Sequence, residues 1–304
     1  MSYTYHAYGL TIRVPFACPA LTAPDAGSAA AAVDVVVDER PVPRRLRAPR
    51  AGEASWDAAP GLFLLRGGRR AGRFLVEADA VTFERNPRCD DAALARHFTD
   101  QVLAAVLRHR GLLVLHANAV ETSAGVIVIG GESGTGKSTT LAALLDRGCR
   151  MLSDDVTALR PGDAPGSVEV LPGAAQTHLT EDAAEGLGYL VDPAQLQPWR
   201  RMKAAIATHD GMASRAGRLR ALYVLGVSRG DDVVVTEVSG GDKFRALQEC
   251  IYGPMFTEEH PALFPLMSTV VAAVPFFRLE RPAARWSVGE VANAVLGRVP
   301  ELVR

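Results

Sequence analysis

The sequence predicts an α/β fold that follows a small antiparallel β module. Up to about residue 90 the apolar runs are short and are interrupted by proline and glycine, which is typical of strands joined by turns. Beyond residue 90, apolar runs of strand type alternate with helical segments, and this alternation favours a sheet covered by helices. We therefore expect two domains, a β-rich module over 1–90 and an α/β domain over 91–304.

The strands of the β module are predicted from β-branched and aromatic residues, which fit a pleated, half-buried surface. Proline and glycine are frequent over 40–61, so this stretch is expected to form turns. The predicted strands are 3–14, 32–37, 62–65, 73–78 and 81–84.

A helix is predicted to begin the second domain. Asp90 and Asp91 offer an N-cap, apolar residues recur at helical spacing over 92–109, and Gly111 provides the stop. After this helix the predicted strands are 112–120, 125–129, 149–153, 156–160, 221–227, 232–238 and 272–279, and the predicted helices are 138–145, 243–252 and 287–296.

The composition excludes several classes of protein. Hydrophobic residues make up 48% of the 304 residues and charged residues 22%, a globular balance that excludes disordered, collagen-like and coiled-coil chains. The formal net charge is −1, which provides no electrostatic basis for binding nucleic acid or an acidic membrane surface. The chain shows no signal pattern, no membrane-spanning apolar run and no metal-ligand spacing among its four cysteines. We therefore expect a soluble, cytoplasmic protein with no nucleic-acid partner and no membrane partner.

A glycine-rich segment between a predicted strand and a predicted helix carries the strongest signal. Gly131, Gly136, Lys137 and Ser138 fit the pattern G-x-x-x-x-G-K-[ST] in the strand–loop–helix context that a phosphate-binding loop requires. Glycines allow successive backbone N–H groups to surround phosphate oxygens, and the start of the helix adds partial positive charge. A chance match is rare because the chain contains only three lysines.

This loop predicts a site for ATP and Mg²⁺. Lys137 is expected to reach the β- and γ-phosphates, and the Ser138 hydroxyl is expected to bind magnesium. The predicted nucleotide-binding residues are Gly131, Glu132, Ser133, Gly134, Thr135, Gly136, Lys137, Ser138 and Thr139.

Two adjacent acids supply the carboxylates that such a site needs. The predicted strand 149–153 ends in Asp154 and Asp155, only 17 residues after Lys137. Ends of strands face the ligand in open α/β sheets, and adjacent side chains there diverge, so one acid can hold the metal while the other faces the substrate. The alternative interpretation is a polar turn that follows a short strand.

His116 lies in the apolar run 112–120, next to the strand that leads into the loop. A histidine in such a run is more often a core residue, but beside a carboxylate it could share a proton and tune a general base. Strand alternation predicts that Val114, His116 and Asn118 share one face.

The order of these features resembles a known family. LHANAV, GGESGTGKST and RGCRMLSDDV, within 112–160, resemble the catalytic domain of the bacterial HPr kinase/phosphorylase family. They are most similar to its shorter relatives, the HPr-kinase-like serine kinases that modify ribosomal peptides such as lasso-peptide precursors, and the opening YHAYGLTIRV resembles the start of those kinases. The resemblance implies a P-loop kinase domain of HPr-kinase type that uses ATP and Mg²⁺. It also implies that Asp154 acts as the base on a substrate serine, that His116 contacts this acid, and that Asp155 lies by the metal.

The chain departs from the HPr kinases in two places. Those enzymes follow the acid pair with a Glu-x-Arg-Gly-like stretch used for phosphorolysis and metal binding, whereas this chain has LPGAAQTHLTEDAAEGLG. The first 90 residues are also too short and too rich in strands for their regulatory domain. The sequence therefore argues against HPr as the substrate and against a reverse phosphorylase reaction.

Two further features have simpler interpretations. VSGGDK at 238–243 resembles the signature of ABC transporter ATPases, but no apolar strand ending in Asp-Glu follows, which favours a turn with Asp242 capping a helix. The basic cluster 200–203 is expected to be a solvated helix face, with a lid that brings Arg201 or Lys203 to phosphate as the alternative. No role is assigned to His178, His209 and His260.

Together these features predict an ATP- and Mg²⁺-dependent kinase that phosphorylates a serine hydroxyl of a peptide or small protein. Strand edges in the module 1–90 could bind an extended peptide as an additional strand. Two alternatives stay open: a small-molecule kinase of the same fold, acting for instance on free serine, and a nucleotide-dependent binding switch. The sequence does not identify the acceptor, the nucleotide base or any homo-oligomer.

Overall fold

The computed structural model describes residues 2–24, 32–68, 71–189, 203–207, 211–253 and 263–303. They divide into two compact units, one formed by residues up to Val114 with Leu263 and Phe264, and the other by Leu115–Gly253 and the residues from Pro265 onward. The division lies after residue 114 rather than residue 90, so the helical segment after the β module falls in the first unit. The fold class is α/β with a strand-rich first unit, as predicted.

The first unit is built on one sheet. Its strands are β1 (Tyr3–Ala7), β2 (Leu10–Val14), β3 (Val35–Glu39), β4 (Ala51–Gly52), β5 (Trp56–Ala59), β6 (Leu62–Gly68), β7 (Gly72–Val76) and β8 (Ala80–Arg85). Their order is β1-β2-β3-β8-β7-β6-β5-β4, and all pairs are antiparallel except that β3 runs parallel to both neighbours. The predicted strand 3–14 is a hairpin, because Tyr8 and Gly9 adopt positive φ values of 54° and 72° and form a two-residue turn.

A helical segment packs on this sheet within the first unit. It consists of α1 (Asp91–His97), a π-helical turn (Phe98–Val102) and α2 (Leu103–His109). Asp90 caps it as predicted, since its carboxylate accepts a hydrogen bond from the Ala93 N–H at 2.7 Å. The rings of Phe16 and Phe98 meet edge to face with 5.8 Å between centroids, which joins the helix to the core of the unit.

The second unit contains the phosphate-loop segment and the elements that surround it. The elements from residue 113 onward are β9 (Leu113–Leu115, at the division between the units), β10 (Ala117–Thr122), β11 (Gly125–Gly130), α3 (Lys137–Leu145), β12 (Arg150–Ser153), β13 (Thr157–Pro161), β14 (Val168–Val170), β15 (Gln176–Thr180), α4 (Glu181–Gly186), β16 (Lys203–Ala207), β17 (Gly217–Ser228), β18 (Val234–Val238), α5 (Asp242–Glu249), α6 (Leu263–Ala273), β19 (Phe276–Pro282), α7 (Val288–Gly297) and a 3-10 helix (Val299–Val303).

The pairing of the strands brings four strand ends to one edge of the sheet. β10 is antiparallel to both β11 and β12, so β11 and β12 run in the same direction. β11 is parallel to β17, and β17 is parallel to β19. The carboxyl ends of β12, β11, β17 and β19 therefore lie at the same edge, where ligands bind in open α/β sheets.

An apolar layer fixes this edge in place. Helices α3 and α7 pack on the sheet through fully buried side chains such as Leu141, Leu144 and Val295. β11 is buried on both faces, as expected of a strand that has a neighbour on each side and helices packed on the sheet. The core under the loop is therefore continuous from helix to sheet.

None of the helices in the described part of the chain is long and apolar enough to span a membrane.

Several predicted elements differ from the structure. The predicted strand 112–120 is interrupted at His116, whose N–H donates to the Cys250 carbonyl at 2.6 Å instead of continuing the ladder. The strand predicted from residue 272 begins at Phe276, because the preceding apolar residues form α6, which the sequence analysis did not predict. Asp242 is the first residue of α5 rather than its cap, a position that Gly241 occupies. The short elements β4, β5, α4 and β14 to β16 were also not predicted.

Candidate functional site

The loop between β11 and α3 has the backbone that its glycines allow. Gly131, Gly134 and Gly136 adopt φ values of 133°, 91° and 106°, which residues with a side chain rarely adopt. A Cβ at Gly131 would also lie 2.3 Å from the carbonyl oxygen of Leu225 on β17. Gly131 is therefore required both by its dihedral angle and by the close approach of the neighbouring strand.

Lys137 lies inside the loop. Its Nζ donates to the carbonyl oxygens of Gly131 at 2.8 Å and Glu132 at 3.1 Å, and the residue is only 6% exposed. Thr135 adds a hydrogen bond from its hydroxyl to the Glu132 carbonyl at 2.9 Å. The ammonium group thus stands on the concave side of the loop, where a phosphate bound by the loop N–H groups would lie next to it.

The two acids after β12 point to different places. Asp154 is 7% exposed, and its Oδ1 accepts a hydrogen bond from the Ser138 hydroxyl at 3.2 Å. Its Oδ2 accepts from the Thr177 hydroxyl at 2.7 Å and from the His178 N–H at 3.0 Å. Asp154 is therefore bound to the phosphate-loop serine and to β15.

Asp155 lies in the cavity in front of the loop. It has a positive φ of 64°, an unusual value for an aspartate, and this turns the chain directly after Asp154. The cavity has a volume of about 420 Å³, within the range of ligand pockets. It is lined by His116, Ser133, Gly134, Gly136, Lys137, Ser138, Thr139, Asp155, His178, Thr180, Asp182, Ala183, Arg281 and Trp286.

The residues around Ser138 fit a magnesium ion. Mg²⁺ prefers oxygen ligands at 2.0–2.1 Å in an octahedron, in which neighbouring ligands lie about 2.9 Å apart. The Ser138 hydroxyl and the Asp154 carboxylate are 3.2 Å apart, close to that spacing. Mg²⁺ usually keeps several water ligands and is bound through one or two carboxylates and substrate phosphates, so these two side chains would be its protein ligands.

His116 lies in the same cavity as Lys137 and Asp155. Its ring is 5.7 Å from that of Tyr252, centroid to centroid. It lies at the break between β9 and β10, where its N–H donates to the Cys250 carbonyl. His178, to which the sequence assigned no role, also lines the cavity. Both imidazoles therefore line the same cavity as Asp155.

Arg281 is a cation of this site that the sequence analysis missed. It is the last residue but one of β19 and lines the cavity, and its Nε donates to the Thr135 carbonyl of the loop at 2.6 Å. Its Nη1 donates to the Pro282 carbonyl at 3.1 Å, and its Nη2 makes no hydrogen bond within the part of the chain that the structure describes. Arg281 is separated from Thr135 by 146 residues, so no local pattern could have indicated it.

The basic cluster of the sequence analysis is described only in part. Lys203 begins the strand β16 and pairs with Thr180 on β15, so the helix expected at this residue is wrong. β15 borders the cavity. Arg201, the side chain of Lys203, His209 and His260 lie outside the described residues.

Cys250 lies directly under the loop and is a packing residue. Its Sγ would be 2.3 Å from a Cβ at Gly130, so the thiol fills the space that this glycine leaves. Burial raises the pKa of the Cys250 thiol to about 12, which keeps it protonated at neutral pH. Cys250 is fully buried among the core residues.

Comparison with solved structures finds a similarity to the HPr(Ser) kinase/phosphatase from Coxiella burnetii, with 13% sequence identity and a TM-score of 0.33. The alignment covers 62% of this chain and 97% of that chain. No protein-family model and no curated protein matches the chain. Similarity at this level assigns neither an activity nor a substrate, so the function has to be inferred from the side chains of the cavity.

Proposed function

We propose that the chain is an ATP- and Mg²⁺-dependent kinase that transfers the γ-phosphoryl group to a serine hydroxyl of a peptide or small protein. The observation that supports this most is one cavity that is lined by Lys137, Ser138 and the acid Asp155. Phosphoryl transfer requires charge stabilisation, a metal ligand and a group that orients the nucleophile, and these three side chains supply them.

The phosphates would be bound by the loop and by two cations. The backbone N–H groups of the loop and the N-terminus of α3 surround one phosphate, and Lys137 reaches the β- and γ-phosphates. Arg281 is fixed to the loop by its Nε and lines the cavity, so its Nη2 would be available to donate to the transferred group. Mg²⁺, when bound by Ser138 and Asp154, would neutralise charge on the phosphates.

The geometry supports Asp155 rather than Asp154 as the base. Asp154 already accepts three hydrogen bonds from the chain and is nearly buried, whereas Asp155 lines the cavity. In the proposed step the carboxylate of Asp155 takes the proton of the serine hydroxyl. The serine oxygen then forms the bond to the γ-phosphorus, and the bond from this phosphorus to the β–γ bridging oxygen breaks, which releases ADP. This assignment exchanges the roles that the family resemblance implies for the two acids.

The acceptor is proposed to be a peptide for two reasons. The motif order within 112–160 resembles kinases that modify ribosomal peptides, so a lasso-type precursor is the first acceptor to test. The sheet of the first unit also ends in β1 and β4 within the described residues, and an edge strand can pair with an extended peptide.

Incubation with ATP, Mg²⁺ and serine-containing peptides, followed by mass spectrometry, tests the proposal. We expect a mass increase of one phosphoryl group on a serine peptide, and its loss in Lys137→Ala. Phosphorylation of free serine without modification of any peptide would support the small-molecule kinase instead. Hydrolysis of ATP that no acceptor accelerates would support the binding switch. Either result would contradict the proposed acceptor class.

A further inference from the structure

The cavity contains one large apolar side chain among polar neighbours. Most of its lining residues are glycine, hydroxyl-bearing, charged or histidine, and Trp286 is the only large apolar residue among those described. Trp286 is 53% exposed. An indole that is half exposed leaves apolar surface in water, which burial against a ligand would remove.

Trp286 is held in place from one side. A Cβ at Gly186, at the end of α4, would lie 2.9 Å from Cζ2 and 3.0 Å from Cη2 of the indole, so the ring rests on a residue that has no side chain. This contact orients the ring at little conformational cost and leaves its remaining surface to the cavity. A fixed aromatic surface of this kind is suited to stacking on a planar group.

A hydrogen-bond acceptor lines the same cavity as this ring. Asp182 also lines the cavity, and it precedes Gly186 by four residues on α4. Residues four apart share one face of a helix, so the Asp182 carboxylate stands on the same face as the indole. A planar ligand with an amino donor at its edge matches this pair.

We infer, resting on the proposed ATP site, that Trp286 stacks on the adenine base of the nucleotide. A base is joined through its ribose to the phosphates that the loop binds, and Trp286 borders the same cavity as the loop. Adenine offers a large planar face to the indole, and its exocyclic amino group can donate a hydrogen bond to Asp182. The acceptor serine must instead approach the γ-phosphate and Asp155.

Calorimetry with a non-hydrolysable ATP analogue and with inorganic triphosphate tests the inference. Trp286→Ala should weaken binding of the ATP analogue by about 5- to 150-fold, the effect of losing one base–aromatic stacking contact. Affinity for triphosphate, which has no base, should stay within about twofold of the unmodified protein. Trp286→Phe should retain most of the affinity for the analogue because a smaller aromatic face remains.

Phe264→Ala is the matched control, since Phe264 is another exposed aromatic residue, 68% exposed, and does not line the cavity. Equal affinity of the unmodified protein and Trp286→Ala for the ATP analogue would overturn the inference. An equal loss for the analogue and for triphosphate would also overturn it, because it would indicate a distorted loop and not a lost base contact. Failure of the unmodified protein to bind either ligand would contradict the nucleotide site itself, and with it both proposals.

Discussion

Replacement of each acid by asparagine separates metal binding from proton transfer. In Asp154→Asn one carboxylate oxygen is replaced by an NH₂ group, which donates hydrogen bonds and does not accept them. The side chain can then accept either from Ser138 or from Thr177 and His178, but not from both sets. The orientation that keeps the acceptor toward Thr177 and His178 turns the amide nitrogen toward Ser138. This variant should fold but should bind Mg²⁺ weakly, because the negative charge beside Ser138 is lost.

The size of each effect follows from the contacts. A hydrogen bond or contact to a charged group contributes about 1.5–3 kcal/mol, so Mg²⁺-dependent binding of nucleotide should fall about 10- to 150-fold in Asp154→Asn. Asp155→Asn should leave binding unchanged and slow transfer by about 10²- to 10⁴-fold, the range for general acid–base catalysis. Asp155 lines the cavity, so its replacement leaves the contacts of Asp154 in place.

Two measurements distinguish the roles. Calorimetry with an ATP analogue at stepped Mg²⁺ concentrations reports the metal, and mass spectrometry of the phosphorylated acceptor reports transfer. Ser138→Ala is the matched control, because it removes the other oxygen of the proposed metal site and should show the same loss of Mg²⁺ dependence. A normal Mg²⁺ dependence in Asp154→Asn together with a weakened one in Asp155→Asn would refute the exchange of roles. Normal transfer by Asp155→Asn would refute its role as the base.

Three other replacements test the fold and the loop. Gly131→Ala should lower the free energy of unfolding by about 3 kcal/mol or more, because the new Cβ would lie 2.3 Å from a backbone carbonyl oxygen. Gly148 has a φ of 85° and no atom within 4 Å of a Cβ built on it, so Gly148→Ala should cost only about 1–2 kcal/mol, the penalty for a positive φ. Thermal unfolding compares the two, and equal losses would contradict the steric explanation. The hydrogen bond from Arg66 lowers the pKa of Asp57 to about 2 in the folded protein. The ionised carboxylate therefore stabilises the fold above its unfolded pKa, near 4, and this stabilisation is lost as the pH falls from about 4 to 2. Asp57→Asn should therefore be about 2 kcal/mol less stable at neutral pH and lack that slope in urea unfolding at stepped pH; an unchanged slope would contradict the assignment. Arg281→Ala should weaken ATP binding about 10- to 150-fold in calorimetry, and unchanged affinity would exclude a phosphate contact.

Features that lie within one stretch of chain could be predicted from the sequence. The strand–loop–helix around Gly131–Ser138 was located because its glycines, its lysine and the flanking apolar runs are contiguous. The Asp90 cap was located for the same reason, since capping involves residues three apart. Both features depend on the dihedral angles and hydrogen bonds of neighbouring residues, so they can be identified without knowledge of the rest of the fold.

Local patterns were insufficient where a distant residue competes for a backbone group. The run 112–120 has the composition of one strand, yet the carbonyl of Cys250 takes the N–H of His116 and ends the strand there. Helix α6 is a similar case, because its β-branched residues favour a strand while tertiary burial of Leu266, Met267 and Val270 along one helical stripe favours the helix.

The sequence alone determined the glycine-rich loop between a strand and a helix and the presence of two acids at a strand end. The tertiary structure decided which other side chains lie next to them. The pairing β11–β17–β19 brings Arg281 to the loop and Trp286 to the same cavity, although both follow the loop by more than 140 residues. Likewise, the packing of β15 against Asp154 directs this acid to Ser138 and leaves Asp155 to the cavity. The physical reason is that the register of distant parallel strands is set by the packing of the whole sheet, and this leaves no periodic or spacing pattern in the residues that it brings together.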